Sequence, residues 1–196
     1  MTTEYSIKGT ATIVSRDWVD ERLGAGWFHT TATAKFPDWP QRLLPGDYYP
    51  LRPQMHVWRT ALGRIDGFDS VERLVQEAAG ATAESDLNGI YKAFLWVASP
   101  QMFLRAVPRL WASYVRFGEL ENVENVVGCY RARVDGVPED LLDWAAGAVA
   151  GFLRPALLLA GGKSPNSQIT GRKPTGDGNW ELQYQLTYEL NPRRSS

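Results

Sequence analysis

Apolar and polar residues alternate without exception near the C-terminus, and this pattern restricts the possible folds more than any other in the sequence. The apolar positions are Trp180, Leu182, Tyr184, Leu186 and Tyr188. Successive side chains on a β-strand point to opposite faces, so these residues share one face, which another layer must cover. Residues 167–173 are predicted to form the partner strand of a hairpin, with residues 174–178 as its connection.

Segments with helical spacing precede the hairpin and can supply the covering layer. Five of them combine a helix-start signal with apolar residues at helical spacing, and they begin near Pro53, Ser70, Asp86, Ser99 and Pro138. Further strands are predicted at residues 4–14 and 123–134. The sequence therefore predicts an α+β fold, in which a helical layer packs on a small antiparallel sheet made by these two strands and the terminal hairpin.

The composition is that of one ordinary globular domain. The chain has 196 residues, of which 44% are hydrophobic and 22% are charged, and a chain of this length can close one sizeable core. We predict a single α+β domain over residues 1–196, with a frayed tail at residues 191–196.

Charge and cysteine content exclude several classes of protein. The net charge of −1 is spread without blocks of like charge, so neither nucleic acid nor an anionic membrane is predicted as a partner. Cys129 is the only cysteine, which excludes an intramolecular disulfide and a cysteine-built zinc site. The N-terminus lacks a secretory signal pattern, and no run approaches the ~20 apolar residues of a membrane span. We expect a cytoplasmic protein.

Aromatic residues are unusually frequent, with eight Trp, eight Tyr and seven Phe. Because buried Trp and Tyr each need a polar partner, such a set favours an apolar pocket that carries a few donors. The residues predicted to bind a ligand are Trp27, Phe28, Trp39, Tyr49, Trp58, Tyr91, Trp111 and Tyr114, with Arg109 as a partner for a carboxylate. Trp39 and Tyr49, in a proline-rich stretch, are expected to line or cover this pocket.

Two side chains are candidates for acid–base chemistry. His29 lies in an aromatic and hydroxyl-rich stretch that suits a pocket wall, and Asp143 stands beside Trp144, where loss of water could make it a general acid. His56, the second histidine, is interpreted as structural. No paired-histidine spacing occurs, so we predict no metal site.

The C-terminal two-thirds of the sequence resembles known families. The runs VPRLWASYVRFGELE and PEDLLDWAAGAVAGFLRPALLLAGGK, with a β segment ending in Asp-Gly between them, are similar to an uncharacterised family of similar length that is expanded in myxobacteria. That family resembles a wider superfamily of haem nitric-oxide-binding domains, 4-vinyl reductase domains and TRAPP transport subunits. The similarity covers residues 48–188, including Trp111 with Gly118 and Gly147 with Gly151. Gly147 and Gly151 are one turn apart on the long helix predicted from Pro138 to Ala160, so we expect this helix to pack centrally against the sheet, with a neighbouring backbone or aromatic ring against the two glycines.

This resemblance implies a four-helix layer against an antiparallel sheet, often in a homodimer, with a ligand cavity between the layers in some branches. The haem-binding branch holds the haem propionates with a Tyr-x-Ser-x-Arg motif. The nearest text here, Tyr114-Val115-Arg116, departs from that motif. We therefore predict no cofactor and no tight binding of haem.

The sequence leaves three functions open. The leading interpretation is a small-molecule-binding domain for an apolar or aromatic organic ligand, with a sensory or regulatory role. The first alternative is an enzyme of natural-product biosynthesis, of cyclase, dehydratase or isomerase type, that uses the same aromatic pocket. The second is a homodimeric scaffold without a ligand, whose aromatic residues bury an interface.

Overall fold

We describe a computed structural model of the chain over residues 5–88 and 99–190. In chain order the elements are β1 (Ser6–Lys8), α1 (Gly9–Leu23), α2 (Trp27–Lys35), β2 (Tyr48–Pro50), α3 (Leu51–Ala61), α4 (Val71–Asn88), α5 (Pro100–Tyr114), β3 (Glu119–Val126), β4 (Cys129–Pro138), a 3₁₀ turn (Glu139–Leu141), α6 (Leu142–Leu159), β5 (Gly162–Gly176) and β6 (Asn179–Leu190). The predicted α+β class is confirmed. The tail predicted to fray lies outside the described residues.

The main sheet consists of four antiparallel strands in the order β3-β4-β6-β5. Tyr184 of β6 lies opposite Ala132 of β4 and Ile169 of β5. The alternating side chains of β6 form the inner face of the sheet, since Leu182, Tyr184, Leu186 and Tyr188 are buried and Trp180 is half-buried. The predicted terminal hairpin is therefore confirmed, with its turn at Asp177 and Gly178.

Strand β5 is one edge of this sheet, and its pairing is irregular. The register between β5 and β6 shifts at three places. The strand also contains Pro165 and Pro174, and proline has no backbone N–H to donate. A register shift of this kind places an extra residue in one of the two strands, and such a bulge bends and twists the strand locally.

The predicted strand over residues 4–14 is wrong beyond Lys8, because α1 begins at Gly9. The Gly9 N–H donates to the Asp47 carbonyl oxygen (2.7 Å), which ties the start of α1 to the loop that precedes β2. The Thr-rich run that suggested a strand is helical because α1 packs on α4 and buries Ala11, Thr12, Trp18 and Val19, so packing overrides β propensity. Strand β1 pairs with β2 in a separate two-stranded sheet and not with the main sheet.

The strand predicted at residues 123–134 is in fact a hairpin of β3 and β4. The chain reverses at Gly128, which has a φ of 82°, a conformation that glycine adopts without steric cost. The predicted turn at Asp135-Gly136 is instead a bulge where β4 pairs with β6. Gly136 has a φ of 71° there, so the glycine marks a bend within the strand and not its end.

Helix boundaries also differ from the prediction in places. Helix α4 starts after Ser70 as predicted but continues through Gly80 to Asn88. Most of the helix predicted to begin near Asp86 lies outside the described residues. Helix α2 occupies a stretch for which no helix was predicted. Helix α5 begins as predicted, with the Ser99 hydroxyl oxygen accepting a hydrogen bond from the Met102 N–H (3.2 Å).

Helix α6 lies between α4 and the main sheet, as predicted for the long helix. On the sheet side, the Tyr184 hydroxyl donates to the Ala145 carbonyl oxygen (3.0 Å). On the other side, a Cβ added at Gly147 would lie 2.9 Å from the Gln76 nitrogen, and one at Gly151 would overlap the Gln76 carbonyl oxygen. The backbones of α4 and α6 therefore touch directly at the two glycines.

One described segment is long and apolar enough to cross a membrane by length and composition alone. It spans Glu139–Leu159, and 67% of its apolar window is buried within the fold. The same length and composition occur in core helices, and α6 is packed between α4 and the sheet.

Candidate functional site

An apolar cavity of about 80 Å³ lies between α1, α4, α5 and α6. A cavity needs about 10–15 Å³ of such space to hold one water molecule, so this one has room for a small organic molecule. Strand β3 closes one end of the cavity through Leu120.

Each helix turns one face to the cavity at a spacing of three or four residues. On α6, Trp144, Ala148 and Phe152 follow one another at intervals of four. On α5, the wall includes Trp111 and Tyr114. Residues three or four apart lie on the same side of a helix, so regular amphipathic helices suffice to build this wall.

The wall has few polar groups. Its hydroxyls belong to Ser15, Thr82 and Tyr114, and that of Thr82 donates to the Ala78 carbonyl oxygen (3.1 Å) in its own helix. Among the wall residues within the described ranges there is no carboxylate, imidazole, thiol or thioether. This surface can therefore exclude water and hold an apolar body, but it offers no acid–base pair.

Two of the residues predicted to bind a ligand, Trp111 and Tyr114, line the cavity. The other predicted aromatics that the structure describes pack around α2 and α3, and these are Trp27, Phe28, Trp39, Tyr49 and Trp58. The ring centroid of Trp39 is 6.2 Å from that of Phe28 and 5.9 Å from that of Tyr49. Neither Trp39 nor Tyr49 borders the cavity, and Tyr91 lies outside the described residues.

The charged candidates lie on the surface. The Asp143 carboxylate pairs with Arg172 (3.4 Å) and is 53% exposed, so it faces a cation and solvent and not the buried indole beside it in the sequence. Arg109 lies on the exposed side of α5. The guanidinium of Arg116, which follows the end of α5, lies 3.8 Å from the ring centroid of Tyr48.

The two histidines lie away from the cavity wall. His29 is half-buried on α2, and its carbonyl oxygen accepts a hydrogen bond from the Thr33 hydroxyl (2.9 Å). His56 is half-buried on α3 with its ring 6.2 Å from that of Phe36. Neither His29 nor Asp143 borders the cavity, so their catalytic roles stay predictions.

We expect His56 to make folding stability depend on pH. Burial lowers the pKa of His56 below its ordinary value, and the nearby cations Lys35 and Arg59 lower this pKa further. As the pH falls below about 6.5, the unfolded chain takes up a proton that the folded chain resists, so the free energy of unfolding should decrease. Urea denaturation at about pH 7.5 and about pH 5.5 should show a smaller loss for His56→Gln than for the wild type.

The matched control for this measurement is His29→Gln, which removes the other histidine. An equal loss of stability in His56→Gln and the wild type would show that His56 does not cause the effect.

Sequence reasoning missed most of the cavity wall. Phe152 was not among the residues predicted to bind a ligand, and Trp144 was considered only as a neighbour of Asp143. The spacing of four that links Ile7 on β1 with Ala11 and Ser15 on α1 was the available signal, but the strand prediction for that segment concealed it.

Comparison with known proteins gives a fold but no family. No family model and no curated protein matches the sequence, so nothing supports the narrower resemblance to the myxobacterial family. Known structures do match the fold over nearly the whole chain.

The similar structures are H-NOX domains. A Cs H-NOX mutant with 4-cyano-L-phenylalanine at site 5 matches with a TM-score of 0.70 at 10% identity, over 95% of this chain and 98% of that one. A mutant H-NOX protein from K. algicida, in its Fe(II) unliganded form, matches with 0.70 at 9% identity, over 95% and 99%. An oxygen-binding H-NOX domain related to soluble guanylate cyclases, in its oxygen complex, matches with 0.65 at 11% identity, over 97% and 98%. The predicted resemblance to the haem nitric-oxide-binding superfamily is therefore confirmed at the level of structure, and the chain has the fold of the H-NOX domains.

Proposed function

We propose that this protein is a small-molecule-binding domain with a sensory role, and that its ligand has a compact apolar body that occupies the cavity between α1, α4, α5 and α6. The observation that carries the proposal is the cavity itself, which is bordered by four helices and lined by apolar side chains. Apolar walls with a few polar groups are typical of ligand sites.

The lining of the cavity favours binding over catalysis. General acid–base catalysis needs a titratable group within hydrogen-bond reach of the reacting atom. The described wall supplies hydroxyls but no carboxylate or imidazole. Asp143 is paired with Arg172 at the surface, which supports the same conclusion.

Haem, which similar structures bind, does not fit the residues present here. The chain has two histidines and one cysteine, and His29, His56 and Cys129 all lie outside the cavity wall. A histidine, cysteine or tyrosine usually holds the iron, and Tyr114 is the one such residue in the described wall.

The propionate-binding motif is also absent. No tyrosine in the sequence, Tyr114 included, is followed by serine two residues later and arginine four residues later. Read from Tyr130, for example, these two positions hold Ala132 and Val134, which are both buried and apolar. Neither side chain can donate a hydrogen bond to a carboxylate. The ligand that the residues favour is therefore a smaller organic molecule.

Binding of toluene tests this function. A ligand that binds the folded state raises the melting temperature with its concentration, so toluene should raise the melting temperature of the wild type. Ala148→Phe, which fills the cavity from α6, should abolish this rise. Leu158→Phe is the matched control, because Leu158 lies on the same helix and is 48% exposed, and this variant should respond like the wild type.

Two results would contradict the proposal. One is a melting temperature of the wild type that does not change with toluene, and the other is an Ala148→Phe variant that still responds. Ser15→Leu fills the same cavity from α1 and replaces Ala148→Phe if that variant does not fold. In a parallel titration with haem, a Soret shift that His56→Ala abolishes but His29→Ala does not would show that haem is the ligand.

A further inference from the structure

A lysine stands at the edge of the cavity. Ile7 and Val115 are both wall residues, and a β-bridge joins them. Lys8 follows Ile7 directly, and its ammonium lies 5.6 Å from the ring centroid of Tyr114, a third wall residue. Tyr114 is half-buried and packs against the half-buried Phe152 (5.9 Å between ring centroids). Both rings are therefore partly accessible to solvent at the cavity wall.

The positive charge of Lys8 is not neutralised by a described carboxylate. Across residues 5–88 and 99–190, the ion pairs involve other arginines, and neither Lys8 nor its neighbour Arg116 takes part in one. Arg116 lies over the ring of Tyr48, and Tyr48 pairs with Lys8 across β1 and β2. Two cations therefore flank the end of α5 where Tyr114 borders the cavity.

We infer that the ligand is a small monocarboxylic acid whose apolar body fills the cavity and whose carboxylate binds the Lys8 ammonium at its edge. This inference rests on the proposed function and specifies the ligand class of that site. Lys8 is half-buried and has no carboxylate partner among the described residues. An ammonium is a strong donor to a carboxylate, and the apolar wall cannot itself satisfy a charge.

The size of the cavity limits the body of the acid. At about 80 Å³, it holds roughly five to eight times the space that one water needs. A chain of about six carbons or a single ring meets this limit, whereas a long fatty chain or a large polycyclic ligand exceeds it.

The test compares hexanoate with 1-hexanol, which has the same apolar chain without the charge, by titration calorimetry on the wild type and on Lys8→Met. We expect hexanoate to bind the wild type more tightly than 1-hexanol does. Lys8→Met should lower the affinity for hexanoate relative to that for 1-hexanol about tenfold, because a hydrogen bond to a charged group is lost. Lys8→Arg should retain most of the preference, and Lys163→Met, a substitution on β5, should leave it unchanged.

Each other outcome identifies which claim fails. If 1-hexanol binds and hexanoate binds no better, the proposed function stands and the inference is wrong. If neither binds, the inference is wrong, and the toluene titration then decides whether the proposed function stands. The remaining outcome is a purely structural role, in which Lys8 neutralises the negative C-terminal end of the α5 dipole. Lys8→Met would then lower the melting temperature without changing the ratio of the two affinities, and this result would overturn the inference.

Discussion

Replacing Gly151 by alanine is expected to destabilise the protein by about 1–3 kcal/mol, although alanine favours a helix by ~1 kcal/mol over glycine. The added Cβ would overlap the Gln76 carbonyl oxygen and lie 2.9 Å from the Ala79 Cβ. A backbone carbonyl in α4 cannot rotate aside as a long side chain does, so α4 and α6 would have to separate. Gly147→Leu meets the Glu72 carbonyl oxygen in the same way and should cost at least as much. Urea denaturation measures both effects.

The matched control is Gly80→Ala, on the facing helix α4. A Cβ at Gly80 would lie 3.7 Å from the Gly151 carbonyl oxygen, which is an ordinary contact. This variant should be neutral or gain up to ~1 kcal/mol from helix propensity. If Gly151→Ala were as stable as Gly80→Ala, the two helices would not be in backbone contact.

Trp144→Ala is expected to lower the free energy of unfolding by about 3–5 kcal/mol, as removal of a large core aromatic generally does. The indole is 3% exposed, and its ring centroid is 5.9 Å from that of Phe117 and 6.3 Å from that of Trp111. Trp144 also lines the cavity, so the variant should accept ligands larger than toluene. Denaturation and titration with naphthalene measure the two effects separately.

Leu158→Ala provides the control on the same helix, because Leu158 is 48% exposed and surface substitutions usually change stability by less than ~0.5 kcal/mol. A small effect of Trp144→Ala, similar to that of Leu158→Ala, would mean that α6 does not bury its aromatic face as described.

The fold was predictable where one local pattern had one interpretation. The alternation that ends at Tyr188 required a strand with a buried face, and the spacing of Gly147 and Gly151 indicated a close helix contact. The N-terminal segment had two interpretations. Its β-branched residues favour a strand, but Ala11 and Ser15 continue a helical spacing from Ile7, and only packing against α4 decides between them.

The candidate site was less predictable than the fold. The aromatic residues were counted correctly, yet composition cannot divide them between a core cluster and a cavity wall. Trp39 joins Phe28 and Tyr49 in the core, whereas Trp111 faces the cavity because α5 crosses α6 there. Which side of a helix meets a cavity depends on how the helices are arranged, and a linear pattern does not contain that information.

The irregular edge strand β5 limits how copies of this protein can associate. A sheet recruits another chain through a straight row of unpaired N–H and C=O groups on its outer strand. The outer strand here lacks two donors, at Pro165 and Pro174, and is bent at each of its three register shifts. A second copy would find no continuous row of partners along this edge. Extension of the sheet past β5 is therefore disfavoured as a way for two copies of this protein to associate.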